Sequence, residues 1–505
     1  MRRKALILPG LLALSLALAY GIGTLREGRD EGRDDLIAVP SIEGAPADGD
    51  LGEDARARQE AEHRAMLDRE YPLVGAVTAA QIRVRSAPDR ESLTIGWLRL
   101  GGHVRMRREP VVAPRCATGW YELYPRGYTC AGEGIEPREH GDEAPEGLGE
   151  LSADRHSALP YRYMFVRDPQ TPEYHQLPSR EDQRAALDHG ARYAQLLNDG
   201  QERRAELLRE GRLGGEPEMP SVVVRYLHRG FYVASNGTEE RSQRRFVRTV
   251  RGSYIKEAQL QEVDGSEFAG IELGDGVELP LAWASRTAVP LMRIVRSDGT
   301  DRFYPDPDAP TYERHTVVPW TRRARFGTRA YHVLTLENGE ERYLRDWFVS
   351  VAEPVERPRS VRGEATWVHV DVSEQTAVLY RGDRPIYATL ISSGLEGHDT
   401  PRGEFRIRRK FVSDTMANLG PDAGDDSYRI DDVPFTQYFS RSIALHGAFW
   451  HNQFGLRRSH GCVNLAPRDA RYLFEHTEPA IPQGWHGVST ERGTGFEGSV
   501  VYVTD

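Results

Sequence analysis

Apolar and polar positions change rhythm several times along the chain. Arg2, Arg3 and Lys4 lead into a run from Ala5 to Leu25 that meets no charge before Arg26. At about 21 residues it reads as an export segment: Ala17-Leu18-Ala19 offers a cleavage site before Tyr20, and uncut it is long enough to span a bilayer as an anchor. Residues 26–70 are charged and rich in Ala and Gly, with few large apolar side chains before Leu67. Such a segment buries too little surface to offset its ordering, which predicts a flexible linker, with a marginal solvated helix over 54–69 as its one ordered part.

From 71 to 140 short alternating segments take over. Ile82, Val84, Ile95, Trp97, Leu98, Val104, Trp120 and Tyr121 mark strands, and Arg85-Ser86-Ala87-Pro88 and Gly101-Gly102 mark turns. Residues 150–355 carry no nameable motif. Strand-like runs appear at 222–227, 246–250 and 331–336. Ser179, with Glu181 and Asp182 after it and an apolar stripe through Ala186, Tyr193 and Leu197, predicts a capped helix over 179–198. A faint repetition links GYTCAGEGIE, GSYIKEAQLQEV and ERYLRDWFVSVAE, each able to close a small barrel. After a Pro- and Arg-rich break at 353–362, alternation resumes at 367–380 and 385–393 and again beyond the turn Thr400-Pro401-Arg402-Gly403. A mainly β protein of several modules is predicted, the last spanning 363–505.

Composition narrows the function classes. The 505 residues hold 39% hydrophobic side chains, ample for packed domains, and 66 basic against 76 acidic residues give a net charge of −10 at pH 7. No global positive field draws the chain to nucleic acid. The three cysteines stand at 116, 130 and 462. In an exported chain an even subset tends to pair, so Cys116 and Cys130, 14 positions apart in one Gly- and Tyr-rich segment, are disulfide candidates and Cys462 is left as a reactive thiol. Asn236-Gly237-Thr238 matches a glycosylation sequon, though Asn-Gly more often marks a turn.

The candidate chemistry gathers in 443–477, where Cys462 stands among histidines: His446, His451, His460 and His476. A free thiol is only a few per cent ionised at neutral pH and needs a base to become nucleophilic. His446 and His460 are the candidates; His451 competes but lacks the glycine that follows His446. Gly461 permits close approach of a carbonyl, and backbone N–H groups of a tight turn can bind an oxyanion. Pro467 and Asp469 announce a helix just downstream. A metal-dependent hydrolase built on the same histidines lacks H-E-x-x-H or paired C-x-x-C spacing, so neither a metal nor a cofactor is expected.

His446-Gly447 followed by Ser459-His460-Gly461-Cys462-Val463-Asn464 resembles the catalytic domain of L,D-transpeptidases, with supporting matches at Val370-Asp371-Val372, Gln375, Ser393-Gly394, Thr400-Pro401-x-Gly403-x-Phe405 and Pro482-x-Gly484-Trp485. The resemblance implies a β-rich fold in which Cys462 is acylated by a peptidoglycan stem peptide, with His446 as base. His460, Ser459, Gly461, Asn464 and Gly447 would shape the pocket and the cysteine loop, with the Gly461 and Cys462 N–H groups as oxyanion donors. It also implies 3→3 cross-linking between donor and acceptor stems in the periplasm or cell envelope, and sensitivity to carbapenems. An L,D-carboxypeptidase, attachment of a protein to the wall, and a non-catalytic wall-binding scaffold remain alternatives. Residues 411–440 look like the family's covering loop, with Tyr428, Phe435 and Tyr438 walling the substrate, whereas Trp450, Trp485 and Phe474 read as packing. Residues 71–140 resemble a bacterial SH3-like domain, a resemblance that implies wall binding, and the repetition suggests two more.

Overall fold

The computed structural model describes residues 53–142, 148, 151–419 and 427–505. The expected export segment, 1–25, and most of the expected linker lie outside these residues. From Glu53 the chain is helical: α1 (Glu53–Glu70) has Leu67 as its buried side chain, and its last turn carries an ion pair between Asp68 and Arg105 at 2.5 Å. Among the described residues no helix is long and apolar enough to cross a membrane.

Three small β modules follow, and they share one pairing scheme. The first holds β1 (Leu73–Val77), β2 (Gln81–Arg85), β3 (Thr94–Arg99), β4 (His103–Met106), β5 (Trp120–Glu122), β6 (Tyr128–Cys130) and β7 (Ile135–Glu139), with a 3₁₀ turn at Ala131–Glu133. Its alternation is the one read from sequence: Ile82 and Val84 point inward and Gln81 and Arg83 outward along β2. The second holds β8 (Arg162–Val166), β9 (Thr171–Tyr174), β10 (Val223–Leu227), β11 (Tyr232–Arg241), β12 (Arg244–Thr249), β13 (Tyr254–Lys256) and β14 (Leu260–Val263). Between β9 and β10 it carries α2 (Arg180–Asn198) and α3 (Glu202–Arg209). Ser179 caps α2 through a reciprocal capping box with Asp182, satisfying two otherwise orphaned N–H groups.

A short β15 (Ile271–Glu272) precedes the third module: β16 (Leu281–Ala284), β17 (Leu291–Val295), β18 (Asp301–Pro305), β19 (Trp320–Phe326), β20 (Arg329–Thr335), β21 (Glu341–Arg345) and β22 (Val349–Ala352). In every module the first strand pairs with the last. The second strand pairs with the third and with the penultimate strand. The penultimate strand also pairs with its predecessor. The three repeated peptides form the same local structure, a strand, a 3₁₀ turn and the closing strand.

The C-terminal region comprises β23 (Thr366–Asp371), β24 (Thr376–Arg381), β25 (Arg384–Ser392), β26 (Gly403–Arg406), β27 (Arg409–Asn418), β28 (Tyr428–Ser440), β29 (Ile443–Gly447), β30 (Val463–Leu465), α4 (Pro467–His476), β31 (Gly487–Ser489) and β32 (Val500–Thr504). Residues 411–440, expected as a covering loop, instead contain most of β27 and β28, a long antiparallel pair whose connection includes 420–426, outside the described residues. The first module joins this region through β3 and β31, and the second through Tyr232 of β11, which pairs with Ile430 of β28. One apolar cluster runs from Ile82 and Val84 to Leu445, Val463 and Val488, so the first module and the C-terminal region share a core.

Candidate active site

β29 and β30 run parallel, with His446 opposite Asn464. Cys462 stands immediately before β30, two positions ahead of Asn464, at the end of the loop that enters this strand pair. Both side chains line one cavity of about 600 Å³. Cys462 is half-buried and is the free cysteine; Cys116 and Cys130 are joined in a disulfide with Cα atoms 5.9 Å apart. The Cys462 thiol faces the Ser442 carbonyl at 3.8 Å. Desolvation pushes its pKa up to about 11, with partial opposition from the Ala444 N–H.

The His446 ring is 2% exposed. Its Nδ1 lies 3.2 Å from the Gly447 carbonyl, which can only accept, so Nδ1 carries the proton and Nε2 is left as the basic nitrogen. Nε2 has no hydrogen-bond partner among the described residues. Burial lowers the pKa of the ring to about 4, slightly offset by the Gly447 carbonyl. Burial thus favours the neutral form of both the thiol and the imidazole. His451 is differently placed: Gln453 N–H donates to its Nδ1 at 3.2 Å and its Nε2 meets the Asn464 amide at 3.0 Å, so both ring nitrogens are occupied.

The loop before Cys462 is held by hydroxyls. Ser459 Oγ accepts from Gly461 N–H at 3.1 Å and donates to the Cys462 carbonyl at 2.5 Å. The Gly461 N–H, expected to be a free oxyanion donor, is therefore committed. Thr400 Oγ1 accepts from Gly394 N–H at 3.0 Å and donates to the Gly461 carbonyl at 2.9 Å. Behind it, Gln375 binds Ser393 twice, Oε1 accepting from the backbone N–H at 2.8 Å and Nε2 donating to Oγ at 2.6 Å. Gly461 has φ +109, and a Cβ there would meet Ile443 Cδ1 at 2.7 Å, so glycine is required on both counts. Thr400 and Gln375 were visible in sequence as motif matches; their hydroxyl and amide roles needed the fold.

Tyr428, Tyr438, Ser459, His460 and Asn464 line the cavity with Cys462 and His446. Phe435 does not: it is 1% exposed and packs on Phe474 with ring centroids 5.3 Å apart, which corrects its expected role as a substrate wall. Gly447 lies in β29 against Pro434 and Ala470, supporting the strand and not the cavity. Trp450, expected as packing, lines the cavity and stacks on His446 at 5.7 Å between centroids. Asp469 lies in the first turn of α4, buried and bonded to Tyr387 Oη at 2.7 Å and Gly270 N–H at 2.8 Å. Among the described residues no group of three or more His, Cys, Asp or Glu is placed to hold a metal ion.

Residues 365–503 match the YkuD family, the L,D-transpeptidase catalytic domain. A curated relative is YciB of Bacillus subtilis (strain 168), a candidate L,D-transpeptidase by name, 26% identical over 137 residues that cover 24% of this chain and 68% of that protein. Among solved structures, an L,D-transpeptidase from Stackebrandtia nassauensis is 23% identical with a TM-score of 0.21; the match covers 29% of this chain and 59% of that one. An L,D-transpeptidase from Mycobacterium smegmatis is 20% identical with a TM-score of 0.23, over 36% of this chain and 82% of that one.

Proposed function

We propose, from the match of residues 365–503 to the L,D-transpeptidase catalytic domain, that this protein is a cell-envelope acyltransferase in which Cys462 forms a thioester with a peptidoglycan stem peptide and passes the acyl group to a second stem. The observation that carries the reading is the placement of Cys462 and His446 in one cavity, with Nε2 the basic nitrogen of the ring. In the first half-reaction Sγ attacks the carbonyl carbon of the third stem residue while Nε2 takes the thiol proton. The C–N bond to the terminal D-Ala breaks and the imidazolium returns the proton to the leaving amine. In the second, the side-chain amine of an acceptor stem attacks the thioester, Nε2 removes its proton, and Sγ leaves and is reprotonated, giving a 3→3 link.

Burial favours the neutral form of both groups, so proton transfer from Sγ to Nε2 accompanies attack. With the Gly461 N–H bound by Ser459, the oxyanion falls to the Cys462 N–H. Asn464, anchored by His451, supports the loop, and His460 with Tyr428 forms the cavity mouth. The common strand pairing of the three modules supports an SH3-like assignment for each, with wall binding as their task. Incubation of the protein with tetrapeptide-stem muropeptides tests the reading. Dimers linked 3→3 support it, free tripeptide alone redirects it to an L,D-carboxypeptidase, and no product in the presence of a reactive Cys462 refutes it.

A further inference from the structure

The catalytic cavity is not built by the catalytic domain alone. Gly230 and Tyr232, of the second β module, line it together with Cys462 and His446. Both lie more than a hundred residues before the 365–503 match. Tyr232 opens β11 and pairs in parallel register with Ile430 of β28, itself a lining residue. Its ring sits 5.3 Å from that of Phe165 in its own module, 5.5 Å from Phe449 and 6.3 Å from Trp450. Trp450 is the residue that stacks on His446.

The second module is fastened at this position. Tyr163 Oη donates to the Asp432 carbonyl at 2.6 Å, Arg225 pairs with Asp431 at 3.0 Å, and Arg251 donates to Thr415 Oγ1 at 2.6 Å. Two neighbouring tyrosine hydroxyls are engaged, that of Tyr163 as above and that of Tyr438 on Asp414 at 2.9 Å. The Tyr232 hydroxyl has no partner among the described residues. A half-buried phenol with an apolar body held by three aromatic rings and an unengaged O–H beside a cavity is suited to grip a peptide, with area from the ring and orientation from the donor.

We propose that Tyr232 is a specificity-determining residue, through which the second module selects the peptide presented to Cys462. The ring packs along the stem peptide and the hydroxyl donates to one of its carbonyl or carboxylate oxygens. The inference rests on the reading above only in taking a stem peptide as the ligand.

Binding of a tetrapeptide-stem disaccharide, measured by calorimetry on the full chain carrying Cys462→Ala, reads the contact without turnover. Adding Tyr232→Phe should weaken binding roughly threefold and Tyr232→Ala roughly tenfold or more, the range of one neutral hydrogen bond and of that bond plus the ring. Because Tyr232→Phe keeps the ring packing, the test survives a folding defect in Tyr232→Ala. With Cys462 intact, the same substitutions should raise KM while iodoacetamide alkylates Cys462 at an unchanged rate. Unchanged affinity in both variants overturns the proposal. So does a fall in kcat and alkylation with KM unaltered, which would show that Tyr232 only props Trp450 against His446. Tyr232-dependent binding without product would defeat the transpeptidase reading and leave this one standing.

Discussion

Thr400 Oγ1 donates to the Gly461 carbonyl at 2.9 Å, tying the turn after β25 to the residue that precedes the nucleophile. The same oxygen accepts from Gly394 N–H. Replacing it by an isosteric methyl strands both buried groups, at about 1–3 kcal/mol each, and frees the cysteine loop. Thr400→Val should lower kcat by roughly tenfold or more with the fold retained, and Thr400→Ser should restore most of it. Steady-state kinetics with circular dichroism as a control checks this; full activity in Thr400→Val would show that the loop holds its own shape.

The pH dependence of Cys462 follows from its resting state. With burial holding the thiol pKa up at about 11, the thiolate fraction at pH 7 is on the order of one in ten thousand. Alkylation by iodoacetamide, which reports the one free cysteine, should rise about tenfold per pH unit from 7 to 9 and reach no plateau below pH 10. Acylation of Cys462 by the donor peptide should be nearly flat from about pH 5 to 9, because His446, with a pKa of about 4, stays neutral and Cys462 stays protonated across that span. An alkylation plateau beginning near pH 5 would mean a preformed ion pair.

Arg99 of the first module meets Asp432 of β28 in a nearly dry pair, the side chains 12% and 1% exposed. Burial pushes the carboxyl pKa up, but the guanidinium outweighs it and holds the value down at about 2. A depressed folded-state pKa means stabilisation present above the unfolded carboxylate value near 4 and lost as pH falls toward 2. Arg99→Met strands the buried charge and should destabilise the protein by about 3–5 kcal/mol at pH 7, softened by Arg251, whose Nε lies 3.6 Å from the other carboxylate oxygen. Denaturant titration checks it, and the deficit should shrink at pH 4, where the unpaired carboxyl protonates.

Lys410 caps α4 from within the core. Its Nζ donates to the Phe474 and Thr477 carbonyls, each at 2.6 Å. Lys410→Met leaves those acceptors unpaired and should cost about 2 kcal/mol. Burial lowers the ammonium pKa to about 7. The folded state thus sheds this proton more readily than the unfolded chain, and stability should rise with pH from about 7 toward 10. Melting curves across that range should show the rise in the parent and not in Lys410→Met.

The meeting of His446 and Cys462 in one cavity was legible because its signal is local: His446-Gly447 end β29, and Ser459 to Cys462 form the loop that enters its neighbour β30. The Ser179 cap and the alternation of β2 were legible for the same reason. What failed depended on distant parts of the chain. β28 is buried at every position from Ile430 to Phe439, and Asp432 and Phe435 adopt positive φ, so no two-residue alternation announces a strand or tells which face Phe435 occupies. The commitment of the Gly461 N–H needed the Ser459 rotamer. Tyr232 escaped notice because its place beside Cys462 comes from docking of separate modules, which no local pattern encodes.

Acid-quenched mass spectrometry of the protein mixed with a tetrapeptide-stem muropeptide reads the acyl-enzyme itself. An added mass equal to the donor minus D-Ala is expected, mapped to the Cys462 peptide, absent in Cys462→Ala and formed far more slowly in His446→Ala. An adduct on another residue, or one formed at the parental rate after loss of His446, would contradict the roles of Cys462 and His446.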